Sequence, residues 1–170
     1  IEPKTCSVEL SYPISTIPKF GISPTFKGDF DNWNTADFIE SVQLISNLGA
    51  DVVHYGFLWS QLQVEEDEFE WSFTDNVINT IVQNGQKMSV IIPVINTTNF
   101  DDMPEYVSFN AFDDGNLIEA YTDFILAFLD RYQDQIDYLY VGNEIDVYFA
   151  EHPAELTAYT TFFCQVHDSI

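Results

Sequence analysis

Four times along this chain a short apolar run gives way to a polar loop and then to a helical hydrophobic pattern, and this alternation restricts the fold more than any other feature. The runs are KFGISPTF (Lys19 to Phe26), ADVVHYGFL (Ala50 to Leu58), KMSVIIPVI (Lys87 to Ile95) and IDYLYVG (Ile136 to Gly142). They read as continuous apolar stretches, the pattern of strands covered on both faces. After the first run, Asn34 and Thr35 can cap a helix in which Phe38, Val42, Ile45 and Leu48 recur at helical spacing before Gly49. After the second, Ser72 or Thr74 opens a helix carrying Val77, Ile78, Ile81 and Val82, with Gly85 as its stop. Leu117, Tyr121, Phe124, Ile125, Phe128 and Leu129 mark the third helix. Pro153 suits the first turn of a fourth, with Leu156, Tyr159, Phe163 and Val166 inward.

A βαβαβαβα order predicts an α/β fold with a parallel sheet and helical crossovers. Two architectures satisfy it: an open doubly wound sheet, or part of a (βα)8 barrel. Eight such units need more than about 200 residues, and the 170 residues here hold four. Residues 1–17 carry Pro3 and Pro13 without a clear period and read as a leader or linker. Residues 18–170 are the domain.

Charge removes some partners. Twenty-eight Asp and Glu face 5 Lys and Arg, a formal charge of -23. The cations Lys4, Lys19, Lys27, Lys87 and Arg131 are scattered, so no stripe exists to displace counterions from nucleic acid, and an anionic membrane surface is disfavoured. No apolar run approaches the roughly 18 residues of a membrane span. A hydrophobic fraction of 46% with 16% aromatic residues excludes general disorder. Cys6 and Cys164 are too few for a disulfide scaffold; a pair in an oxidising compartment and two unrelated thiols are both open readings.

In either architecture ligands bind beyond the C-terminal ends of the strands. The residues there are Thr25, Phe26, Lys27, Asp29, Asn32 and Trp33, then Trp59, Ser60, Gln61 and Gln63, then Asn96, Thr97, Thr98 and Asn99, and last Asn143, Glu144, Asp146 and Tyr148. Neither GxGxxG nor GxxxxGKS occurs, so a nucleotide cofactor is not expected, and no cofactor of another kind is implied. Aromatic rings, amides and carboxylates suit a sugar: rings stack on pyranose C–H faces and the polar groups bind hydroxyls. Cleaving a glycosidic bond needs two carboxyls.

The stretch YLYVGNEID, Tyr138 to Asp146, resembles the fourth-strand signature of the clan A retaining glycoside hydrolases, which are (βα)8 barrels. The resemblance extends over about residues 18–168. It includes a strand followed by Trp59, then Phe69 to Trp71 and a helix with Asp75. It implies an α/β fold of four βα units forming the first half of a (βα)8 TIM barrel. It also implies Glu144 as the general acid/base and Asn143 as the partner of the sugar hydroxyl beside the reacting carbon. The GNEI wording from Gly142 to Ile145 is similar to endo-galactanase-type members.

Two departures stand out. Where many clan members carry an Arg near the end of the second strand, this chain has His54, and its single Arg, Arg131, is in the third helix. The clan's nucleophilic Glu ends the seventh strand, and this chain offers no residue for it. A C-terminal half-barrel is therefore expected in the full-length protein.

The expectation is retaining hydrolysis of O-glycosidic bonds in a poly- or oligosaccharide, with Glu144 catalytic, Asn143, Trp59, His54, Trp33 and Asn96 binding substrate, and the chain inactive alone. Bland readings stand beside these. Glu144 caps the next helix, Asn143 serves the turn after Gly142, the tryptophans pack, and the Glu65–Glu70 acidic run is a solvated loop. With His54, His152 and His167 far apart, no metal site is expected. Two other functions remain open: a non-catalytic carbohydrate-binding protein on a degenerate barrel, and an open α/β interaction module. Polysaccharide hydrolases are usually exported, which points to an extracellular or cell-surface location.

Overall fold

The computed structural model describes residues 19–24, 34–99 and 103–170. The proposed leader, Cys6 and Trp33 lie outside these residues. Strand β1 (Gly21–Ile22) precedes helix α1 (Thr35–Asn47), β2 (Val52–Gly56) and the single-turn helix α2 (Trp59–Leu62). A hairpin of β3 (Gln63–Glu65) and β4 (Glu68–Phe69) leads to α3 (Ser72–Gln83) and β5 (Lys87–Asn96). Then come α4 (Gly115–Tyr132), β6 (Ile136–Asn143), α5 (Ile145–Glu151) and α6 (Leu156–His167).

The main sheet is parallel in the order β1-β2-β5-β6. Each strand lies beside the one that precedes it in the sheet's chain order, and the order never reverses. A doubly wound sheet has a point at which the strand order turns back. A barrel wall has none, so the topology separates the two architectures that the alternation left open.

Local chemistry sets the helix ends. Asn34 Oδ1 accepts from the Ala36 N–H at 2.8 Å and caps α1. Asp114 Oδ1 does the same for the Asn116 N–H at 3.0 Å and caps α4. Gly49 and Gly85, at φ +76 and +81, take the left-handed conformation that ends α1 and α3.

One face of the sheet meets the helices. Val53, Met88, Val90 and Ile92 are fully buried there against Phe38, Val42, Val77, Ile81, Phe124 and Phe128. The other face is open. Tyr138 and Tyr140 are 50% and 47% exposed on it. The expectation of strands covered on both faces is corrected: alternate positions of the runs carry His54, Ser89, Tyr138 and Tyr140, a mixed polar and aromatic set that the apolar count hid.

Other corrections are local. Leu48, Val82, Leu156 and Phe163 keep the helical period but stay exposed, at the ends or on the solvent side of their helices. Phe162 takes the inward place beside Tyr159 and Val166. Pro153 opens a 3-10 turn, Pro153–Glu155, ahead of α6, and α5 intervenes between β6 and that turn. The acidic run is the hairpin β3–β4, with Asp67 at φ +64 in its turn and Glu65, Glu66, Asp67 and Glu68 exposed.

The residues of the second unit have structural partners. Trp71 stacks on Phe69 at 5.1 Å and meets Tyr132 edge-on at 5.8 Å. Asp75 receives Arg131 Nε at 3.0 Å, Arg131 Nη2 at 2.6 Å and the Tyr132 hydroxyl at 2.7 Å. The guanidinium holds the Asp75 carboxyl below its ordinary range, with the Tyr132 bond adding to the effect against partial burial. This fork ties α3 to α4. Cys164 is buried in α6 and disulfide-bonded.

Candidate functional site

Strands β5 and β6 end side by side, with Asn96 in register with Asn143. Asn143 Nδ2 donates to Asn96 Oδ1 at 3.0 Å, so the two predicted amides hold each other at the strand ends. The chain then turns sharply on both strands. Thr97 at φ +59 and Glu144 at φ +48 are left-handed residues with side chains. For a β-branched residue such as Thr97 this conformation is an outlier, with a cost of about 1–3 kcal/mol. Two bonds accompany it. The Thr97 N–H donates to the Asn143 carbonyl at 2.9 Å, and Thr97 Oγ1 donates to Glu144 Oε2 at 2.8 Å.

These contacts decide the bland reading of Glu144. It precedes α5, and its carbonyl accepts from the Val147 N–H at 3.0 Å, yet its side chain makes no capping bond. The carboxylate turns across the strand ends to Thr97 instead. It lines a cleft of about 550 Å³ on the open face of the sheet, together with Asn143, His54, Ser89, Tyr138 and Tyr140.

His54 lies deeper in this cleft. Its Nδ1 is 3.0 Å from Ser89 Oγ, and its ring meets Tyr140 edge-on at 5.8 Å. At the far, N-terminal end of the strands, Lys19 pairs with Asp137 and the Lys87 ammonium donates to the Asp134 carbonyl. The described cations therefore sit away from Glu144.

The structure brings together Glu144, Asn143 and Asn96 at the rim and His54 below them. It does not bring Trp59 there, and that expectation is corrected. Trp59 is fully buried. Its ring stacks on Phe124 at 5.5 Å and meets Tyr121 edge-on at 5.1 Å, while Nε1 donates to Gln63 Oε1 at 2.9 Å. Helix α2 turns the chain directly after β2 and carries the indole back toward α4, so neither ring face is free for a sugar. Trp33 lies outside the described residues.

The sequence reading named Thr97 on the rim without giving it a role, and it assigned none to Ser89, Tyr138 or Tyr140. The Tyr-Leu-Tyr alternation in the fourth run was the available signal, because residues two apart on a strand share a face.

No group of three or more His, Cys, Asp or Glu residues able to hold a metal ion occurs among the described residues. No helix among them is long and apolar enough to cross a membrane.

No family model matches this chain, and no curated protein matches it. Solved structures do. An exo-beta-1,4-mannosidase from Opitutaceae bacterium strain TAV5 aligns with a TM-score of 0.70 at 16% identity, over 89% of this chain and 29% of its own. A GH5_18 protein from Bifidobacterium longum subsp. longum, solved in complex with Manb1-4GlcNAc, aligns with a TM-score of 0.70 at 17% identity, over 89% of this chain and 40% of its own.

The fold is part of a (βα)8 barrel. These neighbours are glycoside hydrolases of clan A, and the chain spans less than half the length of each. The catalytic domain of a beta-amylase from Paenibacillus polymyxa shares the fold at a TM-score of 0.56 and 15% identity, over 72% of this chain and 36% of its own. None of the three is a galactanase, and the finer likeness to endo-galactanase-type members is not supported.

Proposed function

We propose that this chain supplies the acid/base half of a retaining glycoside hydrolase site, with the remaining barrel units supplying the nucleophile. The observation that carries the reading is Glu144 at the end of the fourth parallel strand, its carboxylate bonded to Thr97 and open to the cleft. As an acid, Glu144 gives its proton to the leaving glycosidic oxygen while a second carboxylate bonds the anomeric carbon and the C–O bond breaks. As a base, it then takes a proton from water, whose oxygen displaces that carboxylate. The two carboxyl groups of such a site stand about 5–5.5 Å apart. Among the described residues lining the cleft, Glu144 is the only carboxylate. The isolated chain is accordingly expected to be inactive.

Asn143, held by Asn96, would bind the sugar hydroxyl beside the reacting carbon. Tyr140 and Tyr138 present rings to the cleft that suit pyranose C–H faces. His54 would contact a sugar deeper in the barrel mouth. The substrate class is a poly- or oligosaccharide. Disulfide formation at Cys164 supports an oxidising, extracellular or cell-surface location.

The test is Glu144→Gln in a protein carrying the complete barrel. Turnover of alkyl glycosides should fall by about 10²–10⁴. Aryl glycosides whose leaving groups need no protonation should lose far less in the first step. Near-normal turnover of alkyl glycosides would make the assignment wrong. The solitary carboxylate also favours a second reading, a carbohydrate-binding protein without catalysis. It predicts saturable sugar binding at Tyr140 and no hydrolysis by the complete barrel.

A further inference from the structure

Cys164 is disulfide-bonded, and the sequence holds one other cysteine, Cys6. A disulfide within this chain has no other partner to use. The burial of Cys164 is a second observation. Residues three and four apart share a helix face. At those spacings from Cys164, Thr160, His167 and Asp168 are exposed and Thr161 is half-buried. Cys164, on the same face, is 1% exposed. Phe162 and Val166 on the other side of α6 join the apolar core, and Cys164 does not. A side chain buried among exposed neighbours has a cover that its own helix does not supply.

The position of Cys164 says where that cover comes from. Helix α6 begins at the rim, where Tyr159 in its first turn lies against Gly142, and it runs beside α4, with Phe162 5.3 Å from Tyr121. Its last turn, which carries Cys164, therefore lies toward the N-terminal ends of the strands. The chain enters β1 at that same end. There Lys19, just before β1, already pairs with Asp137 of β6.

Strand β1 needs an anchor. It has two residues, Gly21 and Ile22, in register with Val52 and Val53. Beside them the Phe20 carbonyl accepts from the Asp51 and Val52 N–H groups at 2.7 and 3.3 Å. So short a strand at a sheet edge has little of its own to hold it. Yet Gly21, Ile22 and the adjacent Ser23 line the cleft that Glu144 also lines.

We infer that Cys6 is the partner of Cys164, and that residues 6–18 form a covalent strap from β1 to α6 across the N-terminal ends of the strands. Thirteen steps lead from Cys6 to Lys19, a reach of up to about 40 Å. Four strands are together about 15 Å wide, so the path fits. The bond forms when the two thiols give up two protons and two electrons to an external disulfide, which leaves as two thiols. The closed loop takes in nearly the whole domain and ties the first βα unit to the fourth. It fixes β1 in the wall and with it one side of the Glu144 cleft. This role does not depend on the chemistry of Glu144.

The test is a trypsin digest of the 170-residue chain, purified without reductant and alkylated first. Cleavage after Lys4, Lys19 and Arg131 should leave residues 5–19 joined to residues 132–170. Reductant should separate the pair. The variant Cys6→Ser removes the bond without replacing a described residue. Its thermal midpoint should fall by about 5–15 °C. Its amide hydrogen exchange should quicken at least about tenfold at Asp51, whose N–H donates to Phe20, and far less at Phe57, whose N–H donates to Ile91. Alkylated thiols at both cysteines overturn the inference, and so does a disulfide that joins Cys164 to a second copy of the chain or to a small thiol. A Cys6→Ser variant with the parent's midpoint and the parent's exchange at Asp51 also overturns it. Equal quickening at Asp51 and Phe57 overturns the placement of the strap on β1.

Discussion

Thr97 and Glu144 meet across the ends of β5 and β6, hydroxyl to carboxylate at 2.8 Å, and both are left-handed residues that are not glycine. A β-branched side chain at φ +59 opposes the conformation it occupies. Its hydroxyl is what the strand end gains in return. Thr97→Gly should relieve the backbone and leave the thermal midpoint unchanged or raised, with a gain of up to about 1 kcal/mol. The same variant in a complete barrel should lose turnover on alkyl glycosides, because Glu144 loses the bond that orients it. A fall in stability with activity intact would reverse this account of the pair.

Trp59 and Tyr140 should separate packing from binding. Trp59 is fully buried between Tyr121 and Phe124, and its removal also strips the donor from the buried Gln63. Trp59→Ala should destabilise by about 3–5 kcal/mol, read as a lower urea midpoint. Tyr140 stands half exposed on the open face of the sheet. Tyr140→Ala should shift the midpoint by no more than about 1 kcal/mol and weaken oligosaccharide binding instead. If the effects were exchanged, the placement of the indole would be wrong.

Acid stability should report the Asp75–Arg131–Tyr132 fork. The folded carboxyl of Asp75 is held below its ordinary value of 3.8, chiefly by the Arg131 bonds. The unfolded chain therefore binds the proton more readily than the folded one, and stability falls with pH in this region. The contribution is complete above the unfolded value and is lost as the pH drops through the folded one. The pair is partly exposed, at 45% and 33%, so Asp75→Asn should lower stability at neutral pH by about 1 kcal/mol only. The gap between parent and variant should narrow progressively in urea melts taken at pH values below 3.8, as the folded carboxyl takes up its proton. A gap that stays constant into strong acid would remove the charge from the explanation.

What the sequence reveals about this fold follows its periodicities. The apolar runs and the Phe38–Val42–Ile45 type of spacing locate every strand of the main sheet and α1, α3, α4 and α6, because burial repeats with the geometry of each element. The order of strands in the sheet is not in the pattern. It depends on how helices such as α1 and α3 pack back on Val53 and Val90, a matter of tertiary contact. At the site, Asn143 and Glu144 are legible because their position after the fourth run is itself a statement of geometry. Trp59 is not. Its place after β2 is the same kind of signal, but one turn of helix reverses the direction of the side chain. Thr97 is silent in sequence because its role rests on a backbone angle that threonine rarely adopts.

Gly142 offers a test of how closely the fourth strand end is packed beneath Glu144. A Cβ added there would stand 2.6 Å from Ile145 Cγ2 and 2.6 Å from the Tyr159 hydroxyl. Neither neighbour is free to leave. Ile145 opens α5 and abuts Glu144, and Tyr159 is 5% exposed between Phe149 and Phe162. Gly142→Ala should therefore cost about 1–3 kcal/mol by overpacking. The strain is relieved most easily by moving α5, which carries Glu144 away from Thr97. Turnover of a complete barrel should fall with stability in this variant. Adding Tyr159→Phe removes one of the two clashing atoms and leaves the ring in place, with the next ring atom at an ordinary 3.7 Å. The double variant should recover part of the lost midpoint, a coupling of about 0.5–3 kcal/mol between the two positions. Strict additivity of the two substitutions would mean that Tyr159 of α6 sits farther from the strand end than these contacts require.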